Sequence, residues 1–301
     1  MSPRKSELAA IEAVVCRDVG RKTQPLIEAS RGELGAAATT LAQAKSVGLI
    51  TGFFVPRDGV AAPETDGPVG TALLAAGLAA CGLPVRIAVD SPCADVVRAA
   101  VREAGGHVVV DEVGVDDRPG LDRVTEAWRS AGVDHAVAIE RCGISRDGRP
   151  RNMRGVDVSP WTAALDDLFG AAPWMRIGVG DGGNELGMGK LPAGLIAQSV
   201  PNGDRIACVT DCDHLVVAGV SNWGAYGLMA GLALVHESWS PILAEFLTSA
   251  RDLAVTQAIV EAGAVDGVTA RRQATVDGFG PDIHAAVIAE LRRIAWGRAA
   301  D

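Results

Sequence analysis

The sequence predicts an α/β protein built on a doubly wound, mostly parallel sheet with helices on both faces, a three-layer, Rossmann-like arrangement. Three observations carry that reading. Apolar strand-like runs alternate with helix-period segments along nearly the whole chain, the rhythm of β-α-β units. Alanine and glycine are abundant while aromatics make up only 4% of 301 residues, which suits closely packed helices on a parallel sheet. Hydrophobic residues reach 48%, enough for a sizeable core.

Taken in order, residues 1–45 read as a helical lead-in and residues 46–301 as one α/β catalytic domain. Val47–Val55 reads as the first strand and Val69–Cys81 as an Ala/Leu helix. Pro84–Val89 and Ala94–Glu103 form the next strand and helix, His107–Val110 and Leu121–Ala131 the third pair. His135–Ile139 is a fourth strand, followed after a loop by a helix over Pro160–Phe169. Strands are expected at Arg176–Val179 and Arg205–Val209, the latter closing at Asp211. Helices over Ser221–Val235, Pro241–Ala262 and Asp282–Trp296 complete the chain.

Composition excludes several classes of function. A net charge of −9 argues against a general nucleic-acid or anionic-membrane binder. No uncharged apolar run approaches the ~20 residues of a spanning helix, and no apolar segment follows the basic N-terminus as a secretory signal would. A cytoplasmic protein is expected, with homo-oligomerisation left open. Cysteines 16, 81, 93, 142, 208 and 212 contain no C-x-x-C pair. Cys208 and Cys212 flank Asp211 and precede His214, yet a tetrahedral zinc site needs further ligands at fixed spacing, so buried free thiols are expected.

The densest chemistry lies in Gly178-Val-Gly-Asp-Gly-Gly-Asn-Glu-Leu-Gly-Met-Gly-Lys190, fed by the apolar run from Trp174. Clustered glycines cost conformational entropy and serve to bring bare backbone close to something small. Gly178, Gly180 and Gly183 satisfy G-x-G-x-x-G, which keeps a nucleotide- or dinucleotide-binding enzyme as an alternative. Against it, Gly187, Gly189 and Pro192 interrupt the helix that such a motif needs. A non-catalytic binder of an acidic metabolite is the other alternative. In doubly wound sheets ligands bind beyond the C-terminal strand ends. The other polar segments fall there too: Glu64-Thr-Asp66-Gly-Pro, Glu140-Arg141 and Ser221-Asn222. Asn152 and Arg154 sit in a basic loop, and His214 and His284 read as structural.

Those segments carry a resemblance. Glu64-Thr-Asp-Gly-Pro, Ala138-Ile-Glu-Arg, the thirteen-residue glycine motif and Ala218-Gly-Val-Ser-Asn-Trp-Gly-Ala-Tyr226 resemble the C-terminal domain of the D-glutamate cyclase family. Weaker matches are Asn152-Met-Arg, Asp166-Asp-Leu-Phe, Asp266-Gly and Val276-Asp-Gly, and the likeness runs from about residue 45 to 290. The resemblance implies an α/β fold and conversion of D-glutamate, or a close amino-acid analogue, to 5-oxo-D-proline with loss of water. Longer relatives carry a separate N-terminal domain. Where the resemblance implies an acid two residues after His284, this chain has Ala286.

Lactam closure requires a deprotonated amine, a neutralised γ-carboxylate and a protonated leaving oxygen. Glu140 is the expected base and Arg141 the expected carboxylate clamp. Asp181 and Glu185 are expected as general acid or as ligands of a divalent cation. Backbone N–H groups of Gly182 and Gly183, with Asn184 and Asn222, are expected at the oxyanion. Glu64 and Asp66 complete an acidic rim, with Asn152, Arg154 and Ser221 as further binding residues. No cofactor is required by the sequence; the acid count raises the question of Mg²⁺ or Mn²⁺. The expected partner is a small acidic amino acid.

Overall fold

The computed structural model describes residues 3–57 and 59–297; the last residues of the expected domain, 298–301, lie outside them. The strands are β1 (Val47–Thr51), β2 (Phe54–Arg57), β3 (Val60–Pro63), β4 (Val85–Asp90), β5 (Val109–Val113), β6 (His135–Ile139), β7 (Met175–Gly180) and β8 (His214–Val217). All but β2 and β3 form one six-stranded sheet in the order β5-β4-β1-β6-β7-β8, and every neighbouring pair is parallel. The chain winds outward from β1 to β5 on one side and from β6 to β8 on the other. The order therefore reverses between β1 and β6, which defines the crevice of a doubly wound sheet. β1 and β6 are buried along their whole length, as strands covered on both faces must be.

One apolar cluster fills the face covered by the helices Pro68–Ala80 and Ser221–Val235. Both helices are apolar on nearly all sides because further helices cover them in turn. Ile11, Val15, Leu34 and Leu41 of the first 45 residues belong to that same cluster. A second cluster, around Trp128, Phe169, Trp174 and Leu186, fills the opposite face.

Four of the expected elements differ. Val47–Val55 is split, because Gly52 adopts φ +112° and turns the chain out of the sheet into the β2–β3 hairpin. Arg205–Val209 is no strand: Asn202 takes φ +56° and Gly203–Ile206 closes as a short helix. The sixth strand is instead β8, so Asp211 precedes it and bonds Arg176 at 2.9 Å, at the end opposite the crevice. Pro160–Phe169 contains a 3₁₀ turn and the short helix Leu165–Phe169. Pro241–Ala262 is broken into Ser240–Phe246 and Ser249–Glu261, the second helix capped by the Thr248 hydroxyl. Among the described residues no helix is long and apolar enough to cross a membrane.

Candidate active site at the sheet reversal

A cavity of about 480 Å³ opens at the C-terminal ends of the strands. Its acidic lining comes from four separate parts of the chain: Glu64 after β3, Glu140 after β6, Asp181 and Glu185 after β7, and Asp277 before the last helix. Arg21 enters from the N-terminal segment. Local chemistry places it there: Asp18 Oδ1 accepts the backbone N–H groups of Gly20 and Arg21 at 3.0 and 2.8 Å and so fixes the turn. Its guanidinium bridges Asp181 and Asp277, the latter at 2.5 Å.

Glu140 is the best-positioned titratable group. Its backbone is left-handed, φ +44°, which is rare for a residue with a Cβ and is held here by the Glu140 N–H to Val179 O bond at 3.1 Å. Gly67 packs against it so closely that a Cβ there would stand 2.7 Å from Glu140 Cβ, and its φ of +91° also calls for glycine. The Ser221 hydroxyl donates to Glu140 Oε2 at 2.5 Å. Burial, reinforced by Asp181, Glu185, Asp66 and Glu64, holds the Glu140 carboxyl well above the ordinary carboxylate range. Glu64 is raised by burial, Asp277 and Asp66. Asp181 is raised by burial against the opposing pull of Arg21. The Arg21 guanidinium stays charged, because Asp181 and Asp277 outweigh the cost of its burial.

Asp66 sits just beneath the cavity and has a double role. Its carboxylate accepts the Ser221 and Asn222 N–H groups at 2.9 and 2.8 Å, capping the helix Ser221–Val235. Asn222 returns the service: its Oδ1 accepts from Gly67 and Gly70 at the start of the helix Pro68–Ala80. This reciprocal cap joins the two loops. Burial and Asp277 push Asp66 up to about 8 against the pull of those N–H donors. Asp66, Glu140 and Asp181 each offer an oxygen within 4.8 Å of the others, and Asp181 Oδ2 is buried without a partner. These three fit a hard divalent cation better than the pair Asp181 and Glu185.

Several expected roles do not match the placement of their residues. Glu185 is occupied: its carboxylate accepts the backbone N–H groups of Asp181, Gly182 and Gly183 at 3.0, 2.6 and 2.7 Å. The glycine loop is thus wrapped around one of its own side chains. Gly182 and Gly183 have no N–H left for an oxyanion, and the loop offers no cradle for a nucleotide phosphate. Arg141 is turned away into the protein, fully buried, bonded to Asp90 and to the Gly52 and Ala163 carbonyls at 3.1 and 2.8 Å. Asn222 is spent on the reciprocal cap. Asn184 lines the cavity but gives its amide to Arg151 O at 2.8 Å, and Asn152 accepts from Arg154 and Val156 to close its own turn. Arg154 stands exposed at the cavity mouth. His284 lies in the helical layer, accepting from Trp223 Nε1 at 2.9 Å, and His214 bonds Thr40 and Glu33.

Arg21 and Asp277 line the cavity but escaped the sequence reading. Arg21 belongs to a segment read only as a helical lead-in. Asp277 carried a faint signal as the middle of Val276-Asp-Gly. Its loop is organised by Asp266, which accepts from Val268 and Thr269 N–H at 2.9 and 2.7 Å and from Thr275 and Gly278, each at 2.7 Å.

Fold and site together define an α/β protein with a carboxyl-crowded cavity at the reversal of a doubly wound parallel sheet. The chain belongs to the family of D-glutamate cyclase-like C-terminal domains, whose model matches residues 11–292. It is similar to the mitochondrial D-glutamate cyclase of Homo sapiens, at 35% identity over 219 residues, 68% of this chain. The match covers 35% of the human protein, so this chain corresponds to about a third of that relative's length.

Proposed function

We propose that this chain closes a glutamate-class amino acid into its five-membered lactam, D-glutamate giving 5-oxo-D-proline and water. The observation that carries the reading is the buried Glu140, held in a left-handed backbone and hydrogen-bonded to Ser221, facing a cavity that also contains the ion-paired Arg21. Family membership supports the reaction class.

In this reading Arg21, rather than Arg141, binds a substrate carboxylate, exchanging part of its pairing with Asp181 and Asp277 for the ligand. Asp181, released from Arg21, receives the α-ammonium and takes its proton. Glu140, kept protonated by its surroundings, donates to the departing oxygen as the nitrogen attacks the γ-carbon and the bond from that carbon to the oxygen breaks; in all, two protons leave the α-ammonium and two reach the oxygen, which departs as water. Ser221 orients that proton. A group that must give a proton at neutral pH needs a raised pKa, and Glu140 has the burial and acidic neighbours to supply it. With a divalent cation bound, Asp66, Glu140 and Asp181 would hold it as carboxylates, and the cation would take over from the Glu140 proton the task of neutralising the γ-carboxyl.

The test is NMR of the purified chain incubated separately with D- and L-glutamate, after chelation and again with Mg²⁺ or Mn²⁺. Formation of 5-oxoproline from the D enantiomer is expected. Folded protein that converts neither enantiomer under any of these conditions would refute the proposal.

A further inference from the structure

The roles given to Arg21, Asp181 and Glu140 leave one carboxyl of the cavity unused. Glu64 lines the cavity and is 8% exposed, and among the described residues its carboxyl has no hydrogen-bond or ion-pair partner. The other acids of the lining are engaged: Glu140 with Ser221, Glu185 with the glycine-loop N–H groups, Asp181 and Asp277 with Arg21. A polar group buried to that degree with its oxygens open to a cavity calls for a donor from the ligand.

The surrounding chain fixes Glu64 in this position. Its backbone N–H donates to Phe53 O at 3.0 Å, and on its other side it bridges Val265, with Thr65 N–H on Val265 O at 2.9 Å. Two residues further, Gly267 closes on the carboxyl: a Cβ there would stand 2.1 Å from Glu64 Oε2. Glycine at 267 serves this close approach, since its backbone is not left-handed.

The ligand supplies the matching donor. Ammonium and α-carboxylate share one carbon in an α-amino acid. With the γ-carboxyl at Glu140, the α-carboxylate is the one left for Arg21, and the ammonium then stands beside that guanidinium. Arg21 bonds Asp181 and Asp277 and also acts through its charge on Glu64. An ammonium has three N–H donors. Asp181 Oδ2 is one open acceptor, and the Glu64 carboxyl is another.

We propose that Glu64 is a substrate-binding residue that accepts an N–H of the α-ammonium while Asp181 takes the departing proton, so that the nitrogen lone pair turns toward the γ-carbon. A carboxyl accepts through its carbonyl oxygen with or without a proton of its own, so the contact does not depend on how the acidic cluster titrates. Holding one N–H orients the nitrogen before it attacks. Gly267 acts through Glu64 as a positioning residue.

The inference rests on the lactam-forming reading, and the experiment separates the two. Glutarate carries both carboxylates of glutamate but no ammonium. Dissociation constants for D-glutamate and glutarate are measured by calorimetry on the full chain carrying Glu140→Gln, where turnover is slowed, and again with Glu64→Leu or Gly267→Ala added. Glu64→Leu removes both oxygens and keeps the bulk. Gly267→Ala pushes aside the flexible end of a side chain and leaves the backbone in place. Each is expected to weaken D-glutamate roughly tenfold, the value of a hydrogen bond to a charged group, and glutarate less than about twofold. Equal weakening of the two ligands, or of neither, overturns the role of Glu64. NMR of the unsubstituted chain with D- and L-glutamate reports lactam formation separately. Selective weakening without any 5-oxoproline removes the lactam reading and leaves Glu64 as an ammonium receptor. D-Glutamate that neither binds nor reacts removes both.

Discussion

Two arginines with acidic partners stand near the C-terminal edge of the sheet, and they do different work. Arg141 is 0% exposed, locked by Asp90 and two backbone carbonyls, and it ties the end of β6 to the end of β4. Arg21 is 21% exposed, bridges Asp181 and Asp277, and faces a cavity. The first has its charge met by fixed protein groups and does not line the cavity. The second is held by acids whose own charges are strained by burial and by one another, so a ligand carboxylate can compete for it. Position next to Glu140 in sequence pointed to Arg141. The two residues follow β6, and the left-handed turn at Glu140 brings its side chain to the cavity while Arg141 points into the protein.

The comparison is broken or sharpened by substitution at the two positions. Arg141→Met is expected to have the largest effect, destabilising by about 3–5 kcal/mol because Asp90 is left buried and unpaired. Urea unfolding followed by circular dichroism measures it, and a loss below ~1 kcal/mol would show that the pair is not structural. Arg21→Met is expected to leave the fold in place and raise KM by roughly 10- to 100-fold, the value of a charged hydrogen bond. An unchanged KM would remove Arg21 from the site. Glu140→Gln keeps the shape and the bond from Ser221 but cannot donate an acidic proton, so kcat is expected to fall by about 10²- to 10⁴-fold with the melting temperature preserved. Gly67→Ala should destabilise by about 1–3 kcal/mol, since it combines a positive φ with the close approach to Glu140.

The smallest effect concerns pH. Asp66 at about 8, and Glu140, Glu64 and Asp181 raised in the same direction, bind protons more tightly when folded than the ~4 of an unfolded carboxyl allows. The stability they contribute is therefore complete at acid pH and is lost as pH rises toward and through about 8. Calorimetry between about pH 5 and pH 9 should show melting temperature falling by several degrees, and Glu140→Gln should flatten the fall. A melting temperature that stays level over that range would show that the cluster is ionised throughout.

Much of this architecture is legible in the amino-acid sequence. Alternation of apolar runs with Ala- and Leu-rich segments located five of the six sheet strands, because buried parallel strands need continuous apolar stretches. The exception is instructive: Arg205–Val209 has strand-like composition but stands behind Asn202, whose left-handed backbone starts a helical turn, while the true strand His214–Val217 is only four residues long. Glu64, Glu140 and Asp181 line the same cavity because strand ends in a doubly wound sheet converge whatever their separation in the chain. The assignment of Gly182 and Gly183 to an oxyanion failed because glycine content says that backbone is approachable, not by what. In this chain the approaching group is Glu185 itself.

What the sequence determined alone is the class of fold, the edge of the sheet where the acidic cavity opens, and the family. Periodicity, composition and local motifs act over a few residues to a few tens, and these properties follow from that range. Only the tertiary structure decided which arginine faces the cavity, which carboxylates are free and which are spent on caps, and that the N-terminal segment supplies Arg21. Those outcomes depend on contacts between residues as far apart as 21 and 277, set by how the helices close over the sheet rather than by any local pattern.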